Sequence, residues 1–341
     1  MNTSTMTTRQ RTTDGMTMQA ITQNRYGEAE DVLRLEEIGR PAIGDKEVLL
    51  SVHAAGVDRG VWHLMTGLPY PVRLAGYGIR APKTPVRGRE VAGRIEATGP
   101  AVTTLHVGDE VFGIADGSFA EYASARPDRL APKPANLTFA QAAAIPVSAL
   151  TALQAVRDRG HVQAGNRVLV IGASGGVGTF AVQIAKAAGA EVTGVCRTAK
   201  MDSVRSLGAD HVIDYTREDI RAAGRRYDVI LDIGGHRALK HLRSVLTPRG
   251  TLVIVGGETG GRWLAGSDRQ LRALLLSPFT GQTLTTLICS ENAPDLLALT
   301  RLIESGKVRP VIDRTYPLSQ TAAAIQHMRD GHARGKVVIS L

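Results

Sequence analysis

Cysteine is scarce in this 341-residue chain: Cys196 and Cys289 are the whole supply, too few for a disulfide framework or a four-thiolate zinc site. Each ends an apolar, strand-like run, where cysteine serves as a small hydrophobe, which suits a reducing compartment such as the cytoplasm. Aromatic residues are also few, at 4%, so the formal charge of +9 lacks the interleaved aromatics of a nucleic-acid surface. The charge is spread along the chain, with bunches at Arg80–Arg89 and Arg221–Arg226, and no nucleic-acid module accompanies it. A basic surface serving a phosphate-rich cofactor, or mere composition, is expected instead of a nucleic-acid partner. No apolar run approaches the roughly 18 residues of a membrane helix, so no membrane partner is expected. Met1–Met18 is polar, rich in threonine and without the apolar core of a secretory signal. It reads as a disordered tail before a domain that starts near Gln19.

What is present divides the chain in two. The first part, to about Pro134, has short alternating runs broken by glycine and proline: Ala20–Thr22, Leu33–Ile38, Glu47–Ala55, Glu90–Thr98, Glu110–Ile114 and Phe119–Ala123. These predict strands in a barrel-like antiparallel fold. Inside it, Leu68–Arg87 holds four prolines and two glycines and predicts an irregular, surface-facing loop of the kind that is usually functional. From Thr138 the rhythm changes. Phe139–Arg159 predicts one helix, after which strands and helices alternate from Arg167 to Val255, with Leu284–Ile288 as a candidate sixth strand. That alternation predicts an α/β fold, a doubly wound parallel sheet with its ligand at the carboxyl ends of the strands. The tail predicts a helix at Leu296–Ser305, a strand at Val308–Val311, a helix at Leu318–Arg329 and a closing strand at Lys336–Ser340.

One stretch carries chemistry. Val168–Ile171 runs into Gly172-Ala173-Ser174-Gly175-Gly176-Val177-Gly178 and then into a helical pattern. Strand, glycine turn and helix form a cradle for a pyrophosphate, whose charge the N–H groups at the helix start can take. The first glycine of the usual spacing is Ala173, and no Lys-Ser/Thr pair follows, which excludes a nucleoside-triphosphate loop. About twenty residues on, an NAD site carries a carboxylate for the ribose. Here the second strand ends Cys196-Arg197-Thr198-Ala199-Lys200, without a carboxylate. Cations at a helix start oppose the helix dipole, so a 2′-phosphate held by Arg197, Thr198 and Lys200 is the economical reading. NADPH is the expected cofactor.

These features and further blocks resemble the medium-chain dehydrogenase/reductase superfamily, in its zinc-independent, quinone oxidoreductase-like (zeta-crystallin-like) branch. The blocks are His53–Asp58, Gly88–Gly93, Val107–Gly113, Gly117–Tyr122, Ala142–Leu153, Gly172–Lys186 and Gly335–Ile339, and the resemblance spans about Gln19–Leu341. It implies a GroES-like β-barrel domain of residues 19–137 completed by 296–341, and a Rossmann NADP-binding domain of residues 138–295. It implies that Lys200 binds the 2′-phosphate beside Tyr215, that Thr151 lies near the nicotinamide, and that Gly234 and Gly256 flank its ribose. Lys336, in the closing block, is counted among the cofactor contacts, and a homodimer is implied, with Leu271–Ile288 as a contact surface.

The zinc enzymes of the superfamily have Cys where this chain has Asp58, His where it has Arg89, and Cys near Val147; no metal is expected. Without a Lewis acid, a quinone or α,β-unsaturated carbonyl is an easier hydride acceptor than a simple ketone, because charge spreads into the product as it forms. Asp58 and His63 are the candidate catalytic residues. Asp58 stands where an Asn is common and would have to be protonated or paired with Arg59, Arg89 or His63. His63 equally fits a packed histidine at a helix end. Trp62, Tyr70 and Tyr77 form either an aromatic wall for a small-molecule substrate or ordinary core. The alternatives to this reading are an enoyl-thioester reductase and a non-catalytic, redox-responsive NADPH-binding protein.

Overall fold

A computed structural model describes residues 16–341 except 223, 257–260, 262 and 264–266. The expected tail falls chiefly on residues 1–15, outside the described ones, and the first strand starts at Thr17, two residues ahead of Gln19. The elements of the N-terminal part are β1 (Thr17–Thr22), α1 (Ala29–Val32), β2 (Arg34–Gly39), β3 (Val48–Val57), α2 (Arg59–Thr66), β4 (Glu90–Thr98), β5 (Glu110–Ile114), β6 (Tyr122–Ala125) and β7 (Leu130–Pro132). The middle of the chain comprises α3 (Phe139–Ala143), α4 (Pro146–Gln154), β8 (Arg167–Ile171), α5 (Gly176–Ala187), β9 (Glu191–Cys196), α6 (Met201–Ser206), β10 (His211–Asp214), β11 (Tyr227–Asp232), α7 (Leu239–Ser244), β12 (Leu246–Ile254), α8 (Ser267–Leu276) and β13 (Thr283–Thr286). The chain closes with α9 (Ala293–Glu304), β14 (Ile312–Pro317), α10 (Thr321–Arg329) and β15 (Lys336–Ser340).

The middle elements build a parallel sheet in the order β10-β9-β8-β11-β12-β13. Strands after β8 run outward on one side and those from β11 on the other, so the order reverses between β8 and β11. Ligands of doubly wound sheets bind at such a switch point, beyond the carboxyl ends of the strands. Val168–Ile171 is buried throughout, as a central strand covered on both faces must be.

The second sheet has the order β14-β15-β3-β4-β5-β7, with β6 also paired to β3. Its strand β15 comes from the end of the chain and pairs antiparallel with β3, Val337 opposite Val57. The two sheets meet where Gly175 and Gly335 form a bridge and the Gly335 N–H donates to the Ser174 carbonyl at 3.1 Å. The largest core cluster lies between them: Ala142, Ala143, Ala149 and Ala152 of α3 and α4 pack with Ala54 and Phe112 on one side and Val168 and Val170 on the other. Alanines at those positions let helix and sheets approach closely without leaving voids.

Four local expectations are corrected. The single helix over Phe139–Arg159 is divided at Pro146, whose ring supplies no N–H and crowds the preceding turn, and its last turn is a π-helix at Ala155–Arg159. The strand expected at Val308–Val311 is instead Ile312–Pro317, and that at Phe119–Ala123 is Tyr122–Ala125. In both cases a buried apolar residue ahead of the strand had extended the alternation. Finally, Leu68–Arg87 is not all irregular or on the surface: Arg73–Tyr77 forms a π-helical turn, and Arg87 is buried.

Candidate active site

The glycine turn at the end of β8 is shaped by two different constraints. Gly172 has φ +85°, a conformation that costs other residues dearly. A Cβ on Gly178 would lie 2.0 Å from the Gly172 carbonyl oxygen, so Gly178 closes the helix onto the turn. A Cβ on Gly175 would make only an ordinary 3.5 Å contact with the Gly172 carbonyl oxygen, and the position borders open space. At the start of α5 the first N–H groups have no intrahelical acceptor and point where an anion can take them.

That space is a cavity of about 610 Å³ at the switch point of the parallel sheet. Ser174, Gly175, Gly176 and Val177 form its floor, and Gly234 and Gly256, after β11 and β12, form its far wall. A Cβ on Gly256 would lie 2.1 Å from the Ile233 carbonyl oxygen, so only glycine lets these two strand ends abut. Gly178 and Thr198, both expected as cofactor contacts, do not line the cavity. Gly178 is behind the turn, and the Thr198 hydroxyl is spent on the Asp214 carboxylate.

One end of the cavity is cationic. Arg197 Nε donates to the Tyr215 hydroxyl at 2.6 Å, and Lys200 Nζ donates to the carbonyls of Ala333 at 2.7 Å and Gly331 at 3.1 Å. Burial, then the Arg197 and Arg334 cations, hold the Lys200 ammonium below its ordinary pKa, against an opposing pull from Asp313. Like charges gathered around a half-buried lysine are relieved by an anion. The residues present therefore fit a dinucleotide with a phosphate on its adenosine ribose.

At the other end Asp58, Thr151 and Lys336 line the cavity. Asp58 is the N-cap of α2: its Oδ1 accepts from the Val61 N–H at 3.0 Å, while Oδ2 is buried with no hydrogen-bond partner. Thr151 donates its hydroxyl to the Val147 carbonyl at 2.6 Å. Lys336 Nζ donates at 2.5 Å to Glu90, and Glu90 also accepts the Val147 N–H at 2.9 Å. Both side chains are fully buried. Burial pushes the Glu90 carboxyl up to about 7, with Lys336 opposing. Lys336 thus reaches the cavity as one half of a buried pair, a partnership that sequence spacing across 246 residues does not reveal.

The remaining expected site residues are not gathered here. His63 Nδ1 donates to the Leu68 carbonyl at 2.8 Å, and its ring lies against Trp62. Trp62 packs on the core beside β15. Tyr70 makes an edge contact with Trp263 at 5.1 Å, and Tyr77, 43% exposed, lines a separate, smaller cavity. No aromatic wall is assembled from the three. Arg89 does not pair with Asp58 but with Glu291, at 2.6 Å. Burial works against its charge, yet Glu291, followed by Asp58, Tyr77 and Asp116, outweighs it and raises its pKa. Sequence reasoning missed His236 and Arg237, which line the cavity beside Gly234. The available signal was their position just past the carboxyl end of β11, at the switch point.

A parallel doubly wound sheet with a dinucleotide cradle, joined to a mainly antiparallel second sheet, defines a nicotinamide-dependent oxidoreductase. Residues 44–135 match the alcohol dehydrogenase GroES-like domain, and residues 207–339 match the zinc-binding dehydrogenase family. The chain is 33% identical to mouse (Mus musculus) mitochondrial NAD(P)H oxidoreductase RTN4IP1, across 95% of its own length and 89% of that protein's. It is 33% identical to the chloroplastic NADPH-dependent alkenal/one oxidoreductase of Arabidopsis thaliana, across 94% of itself and 79% of the relative. Its fold matches the quinone oxidoreductase from Coxiella burnetii with a TM-score of 0.84 at 27% identity, covering 96% of this chain and all of the other.

The chain belongs to the medium-chain dehydrogenase/reductase superfamily, in its zinc-independent, quinone oxidoreductase-like branch. Its fold is the GroES-like domain plus a Rossmann sheet. The second matched family is described by zinc, but Asp58, Arg89 and Val147 are not a zinc ligand set, since a guanidinium has no lone pair to offer. Among the described residues no group of three or more His, Cys, Asp or Glu is placed to hold a metal ion. No described helix is long and apolar enough to cross a membrane.

Proposed function

We propose that the protein transfers hydride from NADPH to a quinone or an α,β-unsaturated carbonyl. The observation that carries the cofactor choice is the pairing of Arg197 and Lys200 at one end of the cavity, where Lys200 is short of a counter-anion. Arg197 offers a planar fork and Lys200 a point charge to the same phosphate. The acceptor class is supported by the names of the Arabidopsis and Coxiella relatives and by the absence of a metal donor set at Asp58, Arg89 and Val147.

When bound, the nicotinamide supplies a hydride; the chain's own residues hold and orient. The N–H groups at the start of α5 receive the pyrophosphate. Gly234 and Gly256 leave room for the nicotinamide ribose, and Thr151 closes that end of the cavity. Asp58, anchored through Oδ1, keeps Oδ2 free to hold a proton for the reduced acceptor.

Residues 19–137 with 296–341 form the acceptor-side domain in this reading, and residues 138–295 the cofactor-binding one. Leu271, Leu274 and Leu275 of α8 are exposed beside the edge strand β13, and we assign that face to a homodimer, to be checked by sedimentation. Both cysteines are free thiols, as a reducing, cytoplasmic setting would keep them; cell fractionation checks the location. NADPH oxidation followed with a quinone, an enal and an enoyl thioester tests the function. Turnover of the first two supports it, turnover of the thioester alone shifts the assignment to an enoyl-thioester reductase, and cofactor binding without turnover of any overturns the enzymatic reading.

A further inference from the structure

A second cavity, of about 240 Å³, lies beside α2 and shares no lining residue with the dinucleotide cavity. Arg87 lines it and is 7% exposed. Its Nε has no hydrogen-bond partner, and no ion pair or side-chain hydrogen bond engages its guanidinium among the described residues. The backbone cannot move the group elsewhere: the Arg87 N–H donates to the Ile21 carbonyl at 3.0 Å, and its carbonyl accepts from the Phe119 N–H at 2.8 Å. Burial pushes the guanidinium down to about 10, with only Tyr26 opposing. A second buried donor, the Ser118 hydroxyl, is also unpartnered; it sits directly behind the lining residue Gly88, where a Cβ would come within 2.5 Å of it.

A buried guanidinium without a counter-ion is among the costliest arrangements a fold can keep. The neighbouring charges do not neutralise it. Arg89 on the same wall is a cation already matched by Glu291, Lys83 adds a further positive charge, and Asp116 is an exposed carboxylate at the rim. The lining also has an apolar part, Val61 and Leu64 of α2 and Val86. The space is several times what one water fills, about 30 Å³.

We propose that this cavity is a binding site for a small organic carboxylate with a short apolar body, its carboxylate on Arg87 and its body against Val61, Leu64 and Val86. The carboxylate belongs either to the hydride acceptor itself or to a separate ligand.

The test uses the full chain saturated with NADPH, so that anions are kept from the dinucleotide cavity. Benzoate, benzyl alcohol and inorganic phosphate are compared by thermal denaturation. Benzoate at about a hundred times its Kd is expected to raise the Tm by about 4 °C, phosphate by less, and benzyl alcohol not at all. Arg87→Met, which removes the buried charge and keeps the volume, is expected to abolish the benzoate shift, and Arg87→Lys to retain a weaker one. Equal shifts with benzyl alcohol, no shift with benzoate in the parent protein, or a shift surviving in Arg87→Met would each overturn the site. The parent measurement stands without any variant. Competition of benzoate with the acceptor in turnover assigns the carboxylate to the acceptor; inhibition or activation without competition assigns it to a separate ligand.

Discussion

The two ends of the 610 Å³ cavity handle charge in opposite ways. At the cationic end, Arg197 and Lys200 are brought together with a hydroxyl and two carbonyls for partners, and burial, with the Arg197 and Arg334 cations added, lowers the Lys200 pKa. At the other end, the charges are internally matched: Lys336 by Glu90 and Asp58 by the α2 backbone. The first arrangement is incomplete without an anion, so it selects a ligand by charge. The second has spent its charge on holding geometry, so it leaves selection to shape and to the single free oxygen of Asp58. Binding specificity and chemical specificity are therefore built from separable parts.

The sharpest way to break this comparison is within the glycine turn. Gly178→Ala places a Cβ against the Gly172 carbonyl oxygen, a contact at 2.0 Å that backbone cannot yield. It is expected to cost about 3 kcal/mol or more of stability, read as a fall in Tm or loss of soluble protein. Gly175→Ala borders open cavity; it is expected to fold with a near-native Tm and to bind the dinucleotide more weakly. At the cationic end, the double change Arg197→Ala with Lys200→Ala is expected to raise the KM for NADPH about 100-fold, as two charge-assisted contacts are lost. The KM for NADH should move little. Equal losses for both cofactors would show that the pair does not read the 2′-phosphate.

At the acceptor end the largest expected effect concerns Glu90. Its carboxyl is held near 7 by burial against an ordinary value of about 4.3 when unfolded. Between those values the folded chain keeps a proton that the unfolded chain has lost, so stability falls as pH rises through that window. Glu90→Gln removes the titration. Its Tm relative to the parent is expected to improve from pH 5 to pH 8, by the equivalent of a few kcal/mol at most. A flat difference would mean that Glu90 stays ionised throughout and that Lys336 governs the pair.

The same contrast explains what was legible in advance. The cradle is contiguous: strand, turn and helix lie within Arg167–Ala187, and the cations follow a strand later, so spacing alone assembled them. The sheet was legible for the same reason, since its central strands announce themselves by apolar runs of parallel-sheet type. The acceptor end is discontinuous. Glu90 and Lys336 meet because β15 returns to pair with β3, and no local pattern carries that contact. Tyr77 and His63 carried the right chemistry, but helix phase and the π-helical turn at Arg73–Tyr77 direct them away from the cavity. The burial of Arg87, inside a segment as polar as a surface loop, was equally hidden, because it depends on β1 and the stretch at Phe119 pairing with its backbone.

Asp58 is where the two kinds of information meet, and the smallest expected effect is the most discriminating. As the N-cap of an eight-residue helix, it contributes to stability through Oδ1, whatever Oδ2 does. Asp58→Ala is expected to lower stability by about 1 kcal/mol, the usual worth of such a cap. Asp58→Asn keeps the cap, so its Tm should stay close to that of the parent, while the amide cannot pass on a proton as the acid form does. A drop in kcat for the Asn variant, with unchanged Tm and unchanged KM for NADPH, would place Oδ2 in the chemistry. Unaltered kcat in Asp58→Asn, with the loss confined to Asp58→Ala, would make Asp58 a structural cap and leave the acceptor's proton to solvent.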